Sequence, residues 1–95
     1  LHALQYAHSS YQRALVNLQA LDLAERMRTH LAEPLAEVEE WRDSNRLSLP
    51  NWKGVVTAVP DQPGAYGLTI SWSDRRFSGA GTYSFSYPLR LPVLD

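Results

Sequence analysis

The chain contains no cysteine. It therefore forms no disulfide and has neither a thiolate nucleophile nor a Cys-ligated metal centre. It also lacks any apolar run of the ~18–20 residues that a membrane-spanning helix requires. Neither sign of charge predominates, because 9 Lys and Arg nearly balance 10 Asp and Glu for a formal net charge of −1. No overall field therefore favours nucleic acid or an anionic membrane as a partner.

Glycine and proline are absent from residues 1–31, where Leu, Ala, Gln, Glu and Arg are frequent. Such residues lose little side-chain freedom in a helix, so we predict one continuous helix over this range. At ~1.5 Å per residue it is ~45 Å long, whereas a compact domain of this length is only ~30 Å across. Part of the helix is expected to project. Leu1 has no capping residue before it, so we expect the natural helix to begin upstream of it.

The apolar residues of this helix fall on two nearly opposite faces at ~100° per residue. The earlier stripe comprises Leu4, Ala7, Tyr11, Ala14, Leu15, Leu18 and Leu21. The later stripe comprises Val16, Ala20, Leu23, Ala24, Met27 and Leu31. We predict that the later stripe packs on the chain's own sheet and that the earlier one contacts another protein surface. A single wide stripe inside a larger core is the alternative.

The remainder of the chain predicts a short helix and a small sheet. Pro34 favours a new helix over residues 35–45, with a single helix kinked at Pro34 as the alternative. A short β-branched run predicts a strand at 55–59, and alternation predicts strands at 65–72 and 82–91, with a long loop at 73–81. Pro88 cannot donate to a ladder, which favours an edge position for the last strand, with a strand that ends at Pro88 as the alternative.

The predicted fold class is therefore α+β, with a long and a short helix packed on an antiparallel sheet of about three strands. Ninety-five residues make one domain. Its predicted segments are the long helix (1–33), the short helix with its connecting loop (34–53) and the β-meander (54–95).

No residue pattern predicts catalysis, a cofactor or a bound metal. The spacing of His2, His8 and His30 places no two of them on a shared metal-facing edge. No Gly-rich phosphate loop precedes a helix, and no nucleophile elbow is present. Four glutamates are interpreted as a solvated helix face: Glu33, Glu37, Glu39 and Glu40. We therefore predict that the chain is not an enzyme.

One cluster has the composition of a binding loop: Trp72, Asp74, Arg75, Arg76 and Phe77. Two arginines between two aromatic residues are suited to stacking on bases and contacting phosphates. The competing interpretation is a hairpin end whose Trp packs in the core and whose arginines are solvated. The balanced net charge and the lack of a continuing basic stripe favour the second interpretation and disfavour nucleic acid.

Two longer motifs resemble a known family. Residues 20–28 follow the pattern A-x-D-[LM]-A-[ED]-R-[MI]-R, and residues 66–75 follow Y-x-[VIL]-T-[VI]-x-W-x-[DE]-R. Between them stand Trp41-Arg42, in the predicted short helix, and Leu49-Pro50 after it. In these positions the chain resembles the minor pilins of bacterial type IV pili, of the PilV type.

The resemblance implies a pilin-like fold and a subunit that takes part in assembling or priming a type IV pilus for twitching motility, adhesion or DNA uptake. The implied partners are other minor pilins, the major pilin and the inner-membrane assembly machinery. Full-length members have a methylated N-terminus and an N-terminal membrane helix. They lie in the bacterial inner membrane, with a periplasmic globular domain, and then in the pilus at the cell surface.

The resemblance also implies that part of the early stripe lies in the helical core of the filament, through Leu4, Tyr11, Leu15 and Leu18. Residues 73–81 would point outward. The possible partner-contact loop comprises Trp72, Asp74, Arg75, Arg76 and Phe77. A minor pseudopilin of type II secretion is the alternative within the same class. A nucleic-acid or ligand-binding module using residues 72–77 is the alternative from a different class.

Overall fold

The computed structural model describes residues 2–74 and 81–94, and side chains within 10–73 and 81–94. Two helices precede a three-stranded antiparallel sheet whose strand order is β1-β2-β3. The elements are α1 (His2–Arg28), α2 (Val38–Asn45), β1 (Lys53–Ala58), β2 (Ala65–Asp74) and β3 (Gly81–Arg90). The chain is thus a small α+β domain, which confirms the predicted class and meander.

The long helix α1 contains 27 residues, which corresponds to ~40 Å at ~1.5 Å per residue. The molecule measures 54 × 24 × 17 Å, with a radius of gyration of 15.0 Å. A compact chain of this length has a radius of gyration of ~12 Å. The elongated shape agrees with a helix that is longer than the body it packs against. Within the described residues, no helix is long and apolar enough to cross a membrane.

The predicted end of the long helix was wrong by three residues, since α1 ends at Arg28 rather than at residue 31. In a continuing helix the carbonyl oxygen of Arg26 would accept the N–H of His30. Instead, the N–H of His30 donates to the Met27 carbonyl at 3.2 Å. The Thr29 hydroxyl donates to the Arg26 oxygen at 2.9 Å, and His30 Nδ1 lies 2.9 Å from the same oxygen. Side chains thus occupy the acceptor that the helix would need.

The second helix also begins later than predicted, at Val38 rather than at residue 35. Residues 29–37 form turns, with N–H to carbonyl bonds from Glu33 to His30 and from Ala36 to Glu33. Glu37 is the N-cap of α2. Pro34 therefore lies inside the connection, and the alternative of one helix kinked at Pro34 was wrong.

The three strands lie close to their predicted positions. Strand β1 begins two residues earlier and ends one residue earlier than predicted, β2 ends two residues later, and β3 lies one residue earlier at both ends. In β2 the residues Leu68, Ile70 and Trp72 are buried, whereas Thr69 between them is exposed. The ladder continues to the pairs Ser73–Thr82 and Asp74–Gly81, so the loop predicted at 73–81 is shorter at both ends. Residues 75–80 lie outside the described part of the chain.

Pro88 lies on the edge strand, as predicted. The N–H of Leu91 donates to the Gly64 carbonyl at 2.7 Å, and this pair extends the β2–β3 register. Hydrogen-bonded and non-hydrogen-bonded pairs alternate in an antiparallel ladder, so the odd-numbered residues of β3 bond to β2. The even-numbered residues turn their N–H and C=O groups away from it. Pro88 is even-numbered, so its missing N–H removes no bond from the sheet.

The core lies between α1, α2 and one face of the sheet, and all three tryptophans belong to it. Trp41 packs edge-to-face on Trp52, with ring centroids 5.2 Å apart. Gly54 at the start of β1 leaves room for this pair, because a Cβ there would lie 2.6 Å from Trp41 Cζ3. Arg42 of α2 also donates from Nε to the Gly54 carbonyl at 2.8 Å. These contacts join α2 to the edge of the sheet.

Candidate assembly surface on the long helix

One face of α1 forms the centre of the core. Its members are 0% or 1% exposed: Val16, Ala20, Leu23, Ala24 and Met27. Leu31, in the turn after α1, is partly buried against them. The prediction that the later stripe packs on the chain's own sheet is therefore confirmed.

The opposite face of α1 carries large apolar side chains with no cover from the described part of the chain. Tyr11 is 63% exposed, Leu18 is 64% exposed and Leu21 is 41% exposed. With the exposed Ala14 they form the apolar seam, which we define as Tyr11, Ala14, Leu18 and Leu21. Its spacings of three, four and three are the a/d spacing by which helices pack against one another. These four residues thus lie on a face of α1 that is separate from its core face, and a single wide stripe inside a larger core is excluded there. Contact of this face with another protein surface stays a prediction.

The apolar seam does not include two further residues that were predicted for the same interface, Leu15 and Leu4. Leu15 is only partly exposed and packs against the core, since it lies on the flank of α1 between the two faces. Leu4 and Ala7 continue the three-and-four spacing in the sequence, but their side chains lie outside the described residues. Among the described residues, Tyr11 and Leu18 are therefore the predicted interface residues with the largest free apolar surface.

Charged residues end the apolar seam. Asp22 follows Leu21 directly and pairs with Arg26 at 3.3 Å. Arg26 also contacts the Glu37 carboxylate at 3.1 Å, and His30 Nε2 lies 3.0 Å from the other Glu37 oxygen. The cluster ties the last turn of α1 to the first residues of α2. Glu37 is consequently half-buried and paired, which differs from the solvated glutamate face that the sequence predicted.

Sequence reasoning missed two buried glutamines of α1, Gln12 and Gln19, which are 3% and 5% exposed. The Gln19 side-chain oxygen accepts from Trp52 Nε1 at 2.9 Å, and its backbone carbonyl accepts from Trp41 Nε1 at 2.9 Å. The Gln12 oxygen accepts from Trp72 Nε1 at 3.2 Å. The available signal was their seven-residue spacing on the same side as Val16 and Leu23. Each tryptophan indole is thereby bonded to α1.

The possible partner-contact loop is only partly within the described residues. Trp72 is 2% exposed and stacks on Tyr83 with ring centroids 6.0 Å apart. The structure therefore supports the interpretation in which Trp72 packs in the core. The buried Trp72 indole is not available for stacking on a base. The side chain of Asp74, together with Arg75, Arg76 and Phe77, lies outside the described residues.

The described surface has hollows that are open to solvent. One of about 240 Å³ lies between the turn after α1 and the last residues, bordered by Leu31, Pro34, Tyr66 and Leu91. Another, of about 370 Å³, lies beside Arg42, Trp52 and Lys53. Within the described residues, no three His, Asp or Glu side chains are grouped to hold a metal ion. The apolar seam is therefore the strongest candidate for a functional surface.

No protein-family model, no curated protein and no solved structure matches this chain. The resemblance to minor pilins therefore rests on the sequence motifs at 20–28 and 66–75.

Proposed function

We propose that this chain is the globular domain of a minor pilin, a subunit that joins the helical core of a type IV pilus through α1. The observation that carries the proposal is the apolar seam on the side of α1 opposite its own core. The motifs at 20–28 and 66–75 support the choice of the minor pilin family, and the exposed apolar seam gives a physical reason for assembly with other subunits. In this reading the fold is pilin-like, with the long helix packed on a small antiparallel sheet.

The seam is unlike the ordinary exposed surface of a helix in a small domain. Such helices place charged and polar side chains opposite the core, whereas here Tyr11, Leu18 and Leu21 take that position. Contiguous exposed apolar surface marks an interaction site. Its three-and-four spacing suits packing against another helix at a shallow crossing angle of about 20°. The occupant we propose is therefore the helix of a neighbouring subunit.

The charged residues after Leu21 set the limit of this contact. Asp22 is about half exposed and Glu25 is 70% exposed, so their burial between subunits would be unfavourable without partners. The proposed helix contact therefore ends near Leu21, and the sheet and α2 lie outside the filament core. Contacts of this head-to-tail kind are heterologous and do not close into a ring.

The proposed partners are the other minor pilins, the major pilin and the inner-membrane assembly machinery. The subunit would reach them through a membrane helix that precedes Leu1 in the full-length protein. We propose its location as the inner membrane, with the domain in the periplasm, and then the assembled pilus. A minor pseudopilin of type II secretion would use the same helix face. The two proposals are therefore distinguished by whether a substitution on this face impairs the pilus or protein secretion.

The test replaces Leu18 with Glu in the full-length protein, in cells whose own copy of the gene is deleted. Asn17→Glu is the matched control, since Asn17 is exposed and adjacent but lies off the seam. We expect Leu18→Glu to reduce surface pili at least tenfold while the protein accumulates normally. Asn17→Glu should restore piliation. Pili are measured by shearing and immunoblotting, and twitching by zone diameter.

Normal piliation in cells carrying Leu18→Glu would contradict the filament role of the seam. Normal piliation combined with a loss of protein secretion would instead favour the pseudopilin. Leu18 is the better position than Leu15 for this test, because Leu15 packs partly against the core and a glutamate there would also disturb the fold.

A further inference from the structure

The two edge strands of the sheet, β1 and β3, differ in how they are covered by the described part of the chain. Directly after β1, the N–H of Val59 donates to the Ala65 carbonyl at 2.9 Å, which extends the β1–β2 register. By the alternation of an antiparallel ladder, the even-numbered residues of β1 face outward. Gly54 is one of them, and its carbonyl accepts the 2.8 Å bond from Arg42. Helix α2 thus covers the beginning of the β1 edge.

The described residues provide no comparable cover for the β3 edge. Its outward-facing residues are Thr82, Ser84 and Ser86, followed by Pro88 and Arg90, as the odd-numbered residues bond to β2. The side chains of the first three are exposed. Within the described part of the chain, no group bonds to their outward backbone N–H or C=O. These unpaired groups form a template for another strand.

The composition of this edge removes the usual barriers to pairing. Natural edge strands are protected by charged side chains, bulges or prolines. The nine residues from Gly81 to Leu89 include no charged side chain, and the one proline, Pro88, lies near the end. Pairing is therefore open over residues 81–87 and blocked at Pro88, which has no N–H to donate. The centre of the open stretch is Ser84.

An antiparallel pairing of β3 with a second β3, centred on Ser84, is self-complementary. Ser84 faces Ser84 of the second copy, and Thr82 faces Ser86, so the outward backbone groups of all three residues meet in pairs. On the face towards α1, Tyr83 lies opposite Phe85 in both directions. Aromatic pairs and Ser/Thr pairs across strands both stabilise a sheet. In this register no two like-charged side chains face each other.

We propose that two copies of this chain pair through the β3 edge, about a two-fold axis at Ser84, to form a continuous six-stranded sheet. The contact covers about five residues of each strand, so the dimer is weak and its population rises with concentration. It uses a surface separate from the apolar seam and does not depend on the proposed function. It is an isologous contact, unlike the head-to-tail contact of the seam.

The first test compares Ser84→Pro with Ser84→Ala in this 95-residue chain. Proline removes the outward N–H of residue 84. As at Pro88, this N–H does not bond to β2, so the sheet within one chain loses no hydrogen bond. Alanine keeps the backbone groups and removes only the hydroxyl. In analytical ultracentrifugation, we expect the wild type and Ser84→Ala to approach the mass of two chains as concentration rises. Ser84→Pro should remain at the mass of one chain.

The second test measures the register with single cysteines, which the natural chain lacks. In Ser84→Cys the two thiols lie opposite each other, at the Cα separation of ~5.5 Å of a hydrogen-bonded pair, which a disulfide can bridge. In Thr82→Cys each thiol faces Ser86 of the other copy and is offset from its counterpart by ~14 Å along the strands, at ~3.4 Å per residue. Under mild oxidation we expect Ser84→Cys to form covalent dimers at least tenfold faster.

A wild-type chain that sediments as a monomer at every concentration would overturn the proposal, as would a Ser84→Pro variant that dimerises like the wild type. If Ser84→Pro does not fold, as judged by circular dichroism, the cysteine pair decides. Equal cross-linking rates for Ser84→Cys and Thr82→Cys would overturn the register and with it the edge dimer. Leu18→Glu serves as a further control, since loss of the seam should leave this dimer intact.

Discussion

The indole Nε1 of Trp52 donates a hydrogen bond to the side-chain oxygen of Gln19, 2.9 Å away. Trp52 immediately precedes β1, whereas Gln19 lies on α1, 33 residues earlier in the chain. The same glutamine donates from Nε2 to the Ser48 hydroxyl at 2.9 Å. Its backbone carbonyl accepts a hydrogen bond from the indole Nε1 of Trp41. One residue of the long helix thus holds α2, the connecting loop and the start of the sheet.

We expect Gln19→Leu to lower the free energy of unfolding by about 2 kcal/mol, because it leaves the buried N–H of Trp52 without its acceptor. Trp52→Phe removes the same donor. The double variant should lose less than the sum of the two single variants, by about 1 kcal/mol, as for other residues in direct contact. Urea denaturation of the four proteins measures this coupling. Strict additivity would show that the bond contributes nothing to stability.

Gly54→Ala should destabilise the domain by about 2 kcal/mol, as overpacking a core does. The added Cβ would lie 2.6 Å from Trp41 Cζ3 and 2.8 Å from Trp52 Cη2. Gly67→Ala is the control, because a Cβ at Gly67 meets nothing within 4 Å. We expect that variant to match or slightly exceed the wild type in thermal denaturation. Equal melting temperatures for the two alanine variants would contradict the packing described for the tryptophan pair.

Arg26→Gln should lower stability by about 1 kcal/mol, the upper range for a surface ion pair. Arg26 is 22% exposed and contacts carboxylates of both Asp22 and Glu37. Arg28→Gln is the control, since Arg28 is 45% exposed and, among the described residues, pairs only with Glu25. Its effect should be within ~0.5 kcal/mol. The difference should shrink in 1 M salt, where the Debye length falls to ~3 Å. A difference that persists unchanged in salt would indicate packing rather than charge.

The two faces of α1 should respond oppositely to a charge. Leu18→Glu is expected to change the unfolding free energy by less than ~0.5 kcal/mol, because the residue is 64% exposed. Ala20→Glu should lower it by at least ~3 kcal/mol, because Ala20 is 0% exposed and the new carboxylate would be buried without a partner. Chemical denaturation compares them. A large loss for Leu18→Glu would mean that the seam supports the domain's own fold, and would weaken the assembly proposal.

Local periodicity determined much of this protein. The two opposite apolar faces of α1 follow from the spacing of residues such as Leu18 and Leu23, because a helix repeats every 3.6 residues whatever it packs against. The inward face of β2 follows from the alternation of Leu68, Thr69 and Ile70. Pro88 favoured an edge position for β3, because its ring removes a donor in any context.

Tertiary structure decided the features that depend on groups distant in the chain. The burial of Gln12 is linked to Trp72, 60 residues away, and Glu37 is half-buried because Arg26 and His30 reach it. The end of α1 at Arg28 depended on Thr29 and His30 side chains that compete for a backbone acceptor. Periodicity records which side of an element is apolar. It does not identify the distant group that bonds to a polar side chain. The spacing of Gln12 and Gln19 places them beside the apolar face, but it does not show that tryptophan indoles 60 and 33 residues away bond to them.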